Sequence, residues 1–163
     1  APRVAIGSDP RGAPVMPEGF VGSISHKGEL GVGLASVDEG ARLGVDVEVI
    51  KPLSAGVERL VLTASERSRL LRLPDEARAR AVLASFSIKE SIYKAIDPFV
   101  QRWVGYHEAL VELPEITSEW SSVPVQLLLA KGESIGHIEA FVTERDGCFL
   151  STAKAFLSGP RRT

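Results

Sequence analysis

The segment RLGVDVEVI, residues 42–50, alternates apolar and acidic side chains with the two-residue period of a β-strand. It is the clearest strand of the sequence, and it requires a fold that contains a sheet. The alternation places three valines on one face and two carboxylates on the other: Val45, Val47 and Val49 against Asp46 and Glu48. Residues 30–37, LGVGLASV, form a second strand candidate, and the turn DEGA separates the two. We therefore predict a hairpin over residues 30–50.

The longest helix is predicted over residues 75–96, which are rich in alanine, arginine, leucine and glutamate. We expect it to end before Asp97-Pro98, because the residue that precedes a proline is restricted to extended backbone. A shorter helix, SERSRLLRL, opens at the capping-box pattern Thr63-x-x-Glu66. The sequence thus contains one major helix and one minor helix.

The rest of the chain consists of loop and strand candidates. Residues 7–19 are rich in glycine and proline and are predicted to be loop, and FVGSISH at 20–26 reads as a short strand. Four strand-like segments follow the long helix, with the turns KGES and ERDG between them: YHEALVEL, VPVQLLLA, IGHIEAFVTE and GCFLSTAKAFL. The fold class is α+β, an antiparallel sheet packed with one long helix.

Composition sets limits on partners and compartment. The 163 residues suggest one domain, and the net charge of −2 gives no basic field that would favour a nucleic acid. The single cysteine, Cys148, excludes an internal disulfide and fits a reducing compartment. The chain has no apolar run of transmembrane length and no signal-peptide pattern near Ala1. We expect a cytoplasmic monomer without membrane partners.

The two carboxylates of the predicted strand are the first candidates for chemistry. Asp46 and Glu48 share one face at a separation of roughly 6–7 Å along the strand, from which both can bind one hard cation. The alternative is a solvated strand face, which is common in antiparallel sheets. The D-x-E spacing alone favours that alternative.

The segment FSIKESIYKA, residues 86–95, adds a third carboxylate on the long helix. Phe86, Glu90 and Lys94 lie on one helical stripe, and Lys89 lies on the neighbouring stripe. Glu90 and Lys94 can form a simple surface ion pair, but their stripe continues an apolar face and so requires partners or a ligand. Three carboxylates without clustered histidine or cysteine favour Mg²⁺ over Zn²⁺, and Mg²⁺ beside lysines suggests phosphate chemistry.

Two further residues stay open on the sequence pattern alone. His26, at the tip of a strand after Ser25, is more often a structural residue, and the chain has no G-x-S-x-G motif of a serine hydrolase. Arg11 in the glycine- and proline-rich loop is either solvated or an anion clamp beside a phosphate site.

The ordered motifs RGAPVMPEGFVGSISH (11–26), GVDVE (44–48) and FSIKESIYKA (86–95) resemble those of the 4′-phosphopantetheinyl transferases of the surfactin and enterobactin type. The family pattern is G-[IV]-D-x-E followed by [WF]-[SC]-x-K-E-[AS]-x-x-K, and the resemblance covers residues 7–105 closely. It implies half or more of a pseudo-twofold transferase fold, mainly its C-terminal part, within residues 1–163. Residues 1–19 are then a connecting loop from a missing N-terminal segment, and residues 158–163 are a tail.

The resemblance also implies an activity. The 4′-phosphopantetheine arm of coenzyme A, the substrate, passes to a serine of an acyl, peptidyl or aryl carrier protein, and 3′,5′-ADP is released. Mg²⁺ is the implied cofactor, with Asp46, Glu48 and Glu90 as its ligands. Glu90 and Lys94 are the implied catalytic residues. The synthases served make peptides, polyketides and siderophores.

Five residues are expected at coenzyme A by the same resemblance: Arg11, Ser25, His26, Lys89 and Lys94. Phe86 stands where many family members have tryptophan, and Val47 offers no side-chain ligand to the metal. Two alternatives to the transferase remain. One is a non-catalytic fragment that binds carrier proteins, and the other is a Mg²⁺-dependent nucleotide or phosphate hydrolase.

Overall fold

The computed structural model describes residues 5–38 and 40–157, so the predicted tail 158–163 and the first four residues of the connecting loop lie outside the described residues. The elements, in chain order, are β1 (Gly7–Ser8), β2 (Pro14–Val15), β3 (Val21–Lys27), β4 (Leu30–Ser36), β5 (Ala41–Val49), α1 (Val57–Val61), α2 (Ala64–Leu70), α3 (Asp75–Val100), a 3₁₀ turn (Tyr106–Glu108), β6 (Ala109–Val111), β7 (Ser121–Ser122), β8 (Val125–Leu127), β9 (Ile135–Arg145) and β10 (Cys148–Leu157). The predicted α+β class with antiparallel strands and one long helix is confirmed.

The main sheet has four antiparallel strands in the order β5-β10-β9-β7. Strands β9 and β10 form a long hairpin through Asp146 and Gly147, whose φ angles of 50° and 72° fit the tight turn expected from the segment ERDG. Smaller two-stranded sheets are formed by β1 with β2, by β3 with β4 and by β6 with β8. The loop predicted over residues 7–19 therefore contains one short strand pair.

The predicted hairpin over residues 30–50 is wrong. Strand β4 pairs with β3, and β5 pairs with β10 from Ala41 to Val49. The β3–β4 connection needs only a tight turn, in which Gly28 has the positive φ of 60° that favours glycine. Strand β5 is buried on both faces over most of its length, and the long strand β10 supplies a complete antiparallel partner.

Helix α3 runs to Val100 and contains Pro98, so the predicted end before Asp97-Pro98 is wrong. The proline removes one backbone donor, but Phe99 and Val100 pack against the main apolar core and stabilise the last turn. The helix ends at Gln101, whose φ of 49° is left-handed.

Helix α3 crosses the sheet at β5 and carries the central side chains of the core: Ile88, Ile92, Ala95 and Ile96. The contact is close at Gly44, where an added Cβ would lie 1.7 Å from the backbone oxygen of Ser91. The predicted capping box of α2 is confirmed by reciprocal bonds between Thr63 and Glu66. Among the residues described, no helix combines the length and apolar character needed to cross a membrane.

Candidate active site

The carboxylate of Asp46 lies buried between β3, β5 and α3. This burial excludes the alternative that its strand face is solvated. Its Oδ1 atom accepts a hydrogen bond from Ser25 Oγ at 3.0 Å and an ion pair from Lys94 Nζ at 3.0 Å. Its Oδ2 atom is buried and has no hydrogen-bond partner within the described chain. A buried charged oxygen without a partner is costly, which makes this atom a candidate ligand for a cation.

Glu48 is 6% exposed and pairs with Lys27, whose Nζ lies 2.9 Å from Oε1 and 2.8 Å from Oε2. Lys27 is the last residue of β3, on the same strand face as Ser25. The sequence did not reveal Lys27 as a site residue, because its contact with Glu48 depends on the packing of β3 against β5. The one available signal was its even spacing from Ser25.

Glu90 reaches the same region from α3. Its Oε1 atom accepts a hydrogen bond of 2.5 Å from the hydroxyl of Tyr106. Burial raises the pKa of Glu90, and the nearby charges of Asp46 and Glu48 act in the same direction. Tyr106 and Lys94 oppose this shift, because a donor and a positive charge favour the ionised carboxylate. Tyr106 is a second site residue that sequence reasoning missed.

Lys94 joins the helix to the strand. Its Nζ donates to the backbone oxygen of Val45 at 2.9 Å as well as to Asp46, and its side chain is 27% exposed. The close approach permitted by Gly44 therefore lies beside a polar contact between α3 and β5. The helical stripe of Phe86, Glu90 and Lys94 does meet the body of the protein, as its apolar continuation indicated.

A cleft of about 490 Å³ opens beside these groups and is lined by Arg11, Ser23, Tyr93, Glu90 and Lys94 among others. Arg11 enters it from the loop between β1 and β2 and forms a salt bridge with Asp97 of α3, which raises the pKa of the guanidinium. A cleft of this size is large enough for a small-molecule ligand.

Three of the predicted coenzyme A residues do not line this cleft. Ser25 is buried against Asp46, while its neighbour His26 points to the opposite, exposed face of β3, as the strand period requires. Lys89 is 2% exposed, and its Nζ donates to Val61 O, Glu66 Oε2 and Tyr106 O. Its three protein acceptors use the three donors of an ammonium group.

The three carboxylates have the oxygen donors that Mg²⁺ prefers. The unpartnered Oδ2 of Asp46 and the electrostatic influence of Asp46 and Glu48 on Glu90 both fit a cation between them. Over the described ranges, no three acidic, histidine or cysteine side chains lie where they could hold a metal ion as they stand. Lys27 and Lys94 hold two of the carboxylates, so a cation requires these side chains to rearrange.

Comparison with known proteins identifies the family of this chain. A model described as the 4′-phosphopantetheinyl transferase superfamily matches residues 42–140, which include α3 and all of β5 except its first residue. The chain is 37% identical over 109 residues to the 4′-phosphopantetheinyl transferase Npt of Nocardia iowensis, covering 66% of this chain and 48% of that protein. It is 39% identical over 104 residues to the 4′-phosphopantetheinyl transferase Svp of Streptomyces mobaraensis, covering 61% and 41%.

Two more distant relatives extend the comparison. PptT of Mycobacterium tuberculosis, also a 4′-phosphopantetheinyl transferase, is 29% identical over 127 residues, which are 77% of this chain and 55% of that protein. Enterobactin synthase component D of Salmonella austin is 33% identical over 82 residues, which are 50% and 34%. The chain thus spans about half the length of the curated relatives it matches. It belongs to the 4′-phosphopantetheinyl transferase superfamily.

Proposed function

We propose that the protein containing this chain transfers the 4′-phosphopantetheine arm of coenzyme A to a serine of an acyl, peptidyl or aryl carrier protein. The observation that carries the proposal is the meeting of β5 and α3, which brings Asp46, Lys94 and Glu90 together beside a cleft. Family membership supports this reading of the geometry. Carrier proteins of peptide, polyketide and siderophore synthesis are the proposed partners, and a cytoplasmic monomer is the proposed state.

Asp46, Glu48 and Glu90 are the proposed ligands of Mg²⁺. When bound, Mg²⁺ would supply positive charge to the diphosphate of coenzyme A and so favour departure of the nucleotide. Lys27 and Lys94 neutralise the acids while no cation is bound, and they carry the ammonium groups nearest to Glu48 and Asp46. Both lysines then add to the positive charge that an incoming diphosphate meets.

Coenzyme A is proposed to bind in the cleft with Lys94 and Arg11 at its phosphate groups. Arg11 would exchange its salt bridge with Asp97 for a phosphate, since its side chain is 42% exposed. Ser25 would support the site through Asp46, and His26 is proposed to contact phosphate from the exposed face of β3. Lys89 is proposed to support this site indirectly, through its buried hydrogen bonds next to Glu90 in the helix.

The proposed reaction forms one bond and breaks one. The carrier serine oxygen attacks the β-phosphorus of coenzyme A, and the bond from that phosphorus to 3′,5′-ADP breaks. The serine proton passes to Glu90, a carboxylate whose pKa is raised by burial and which is therefore a stronger base than an exposed glutamate. Lys94 stabilises the developing negative charge on the phosphate oxygens.

The test uses the full-length protein with coenzyme A, Mg²⁺ and an apo carrier protein, and it follows the carrier by mass spectrometry. Glu90→Gln should lower turnover about 10²-fold or more, the size of a lost general base. Glu76→Gln is the matched control, because Glu76 is an exposed glutamate on the same helix. Its turnover should equal that of the wild-type protein.

Other results would support different functions. Phosphate release in the absence of a carrier would favour a hydrolase. Carrier binding without phosphopantetheine transfer by the full-length protein would favour a non-catalytic binding module. Wild-type turnover in Glu90→Gln would remove Glu90 from the chemistry.

A further inference from the structure

Tyr106 stands between α3 and the strand β6 and is held at both ends. Its hydroxyl donates to Glu90 Oε1 at 2.5 Å, and its ring lies 5.6 Å from the ring of Phe86, centroid to centroid. Its backbone oxygen accepts a hydrogen bond from Lys89 Nζ at 3.0 Å. Two consecutive residues of the helix, Lys89 and Glu90, thus hold the backbone and the hydroxyl of one tyrosine.

The backbone end of this arrangement is rigid. Lys89 also donates to Val61 O at 2.9 Å and to Glu66 Oε2 at 2.7 Å, and its side chain is 1% exposed. Glu66 in turn accepts bonds from the backbone nitrogens of Thr63 and Val111. The buried ion pair therefore ties α1, α2 and the segment after the 3₁₀ turn to the helix immediately beside Glu90.

We propose that Tyr106 is a positioning residue for Glu90. Its hydroxyl takes one lone pair of Oε1 and so fixes the direction in which the rest of the carboxylate faces a cation or the serine proton. The inference rests on the proposed function, since it assumes that Glu90 works at the transfer site.

The need for such a contact follows from the neighbouring charges. Asp46 and Glu48 repel an ionised Glu90, which favours rotation of its side chain away from them. Lys94 does not hold Glu90 in place, because its Nζ donates to Asp46 and to the backbone oxygen of Val45. The hydrogen bond from the Tyr106 hydroxyl opposes this rotation of Glu90. Because the Tyr106 ring packs against Phe86 and its backbone is held by Lys89, the hydroxyl itself can move little.

The experiment measures Mg²⁺ affinity by isothermal titration calorimetry on the full-length protein. Tyr106→Phe keeps the ring against Phe86 and removes only the hydroxyl. It should weaken Mg²⁺ binding about tenfold to a hundredfold, the usual effect of losing a partner that orients a metal ligand. Turnover should recover at high Mg²⁺ concentration, because the variant changes the position of the ligand and not its chemistry.

Ser121→Ala is the control, since it also removes one hydroxyl, which lies on strand β7 outside the cleft and donates to the backbone oxygen of Glu115 at 3.0 Å. Its Mg²⁺ affinity should match that of the wild-type protein. A double-mutant cycle adds a second readout: in a Glu90→Gln background, Tyr106→Phe should have no further effect on Mg²⁺ affinity.

Unchanged Mg²⁺ affinity in Tyr106→Phe, with Glu90→Gln impaired, would overturn the positioning role and leave the proposed function intact. An equal loss from Tyr106→Phe in the Glu90→Gln background would also overturn it, because the effect would then not pass through Glu90. If Glu90→Gln itself had wild-type Mg²⁺ affinity and turnover, the role of Glu90 would fail together with this inference, while the transfer activity would stand. The absence of transfer by the wild-type protein would instead overturn the proposed function.

Discussion

Gly44 lies where β5 crosses α3, and replacing it with alanine tests whether the site depends on that close approach. A Cβ at this position would lie 1.7 Å from Ser91 O and 2.9 Å from Ala95 N, whereas ordinary contacts begin at 3.4 Å. Because the clashing atoms belong to the helix backbone, no side-chain rotation relieves the overlap. The strand and the helix would have to separate by a distance of the order of the missing 1.7 Å.

We expect Gly44→Ala to lower the free energy of unfolding by about 3 kcal/mol or more, at the upper end of overpacking effects. The same separation moves Lys94 away from Asp46, so the turnover of correctly folded protein should fall as well. Urea denaturation followed by circular dichroism measures the stability, and mass spectrometry of the carrier protein measures the turnover.

Gly33→Ala is the matched control, because Gly33 lies in strand β4 and nothing would lie within 4 Å of its added Cβ. Its stability should stay within about 0.5 kcal/mol of wild type, as is usual for surface substitutions. Equal unfolding free energies for Gly44→Ala and Gly33→Ala would refute the close approach of β5 and α3.

Two further predictions concern ion pairs outside the cleft. Lys89→Met should lower the free energy of unfolding by about 3–5 kcal/mol in urea denaturation, because it leaves Glu66 as an uncompensated buried charge; full stability would show that the pair is not needed. Arg102 lowers the pKa of Glu108 and of Glu133 from 4.5 to about 2 through hydrogen bonds. A lowered carboxyl pKa gives stability above pH 4.5 that is lost as the pH falls towards 2, so Arg102→Met should flatten the acid side of the stability profile. An unchanged slope between pH 4.5 and 2 in thermal melts would contradict this assignment.

Features that depend on neighbouring residues were predictable from the sequence. The alternation in residues 42–50 gave strand β5, the Thr63-Glu66 pattern gave the start of α2, and helical spacing gave the shared stripe of Glu90 and Lys94. Each of these follows from backbone geometry over fewer than ten residues. The fold class follows from the same local patterns.

Features that depend on distant partners were not predictable in the same way. The partner of β5 is β10, about a hundred residues further along, and no local pattern distinguishes it from the neighbouring β4. The end of α3 was missed because core packing of Phe99 outweighs the propensity of Pro98.

The same limit applies to the site. Lys27 and Tyr106 reach Glu48 and Glu90 only through tertiary contacts, and Lys89 finds Glu66 on another helix. The capping-box pattern predicted the local role of Glu66 correctly but did not reveal a second role. The same carboxylate also accepts a hydrogen bond from the buried ammonium of Lys89.

The most direct test of the proposed function is the stoichiometry of transfer by the full-length protein. An apo carrier protein, coenzyme A and Mg²⁺ are combined, and carrier mass and released 3′,5′-ADP are measured in the same sample. We predict one phosphopantetheine on the carrier serine for each 3′,5′-ADP, with the yield lost in Glu48→Gln and Glu90→Gln. A carrier of unchanged mass with the wild-type protein, or full transfer by both variants, would contradict the assignment of this site.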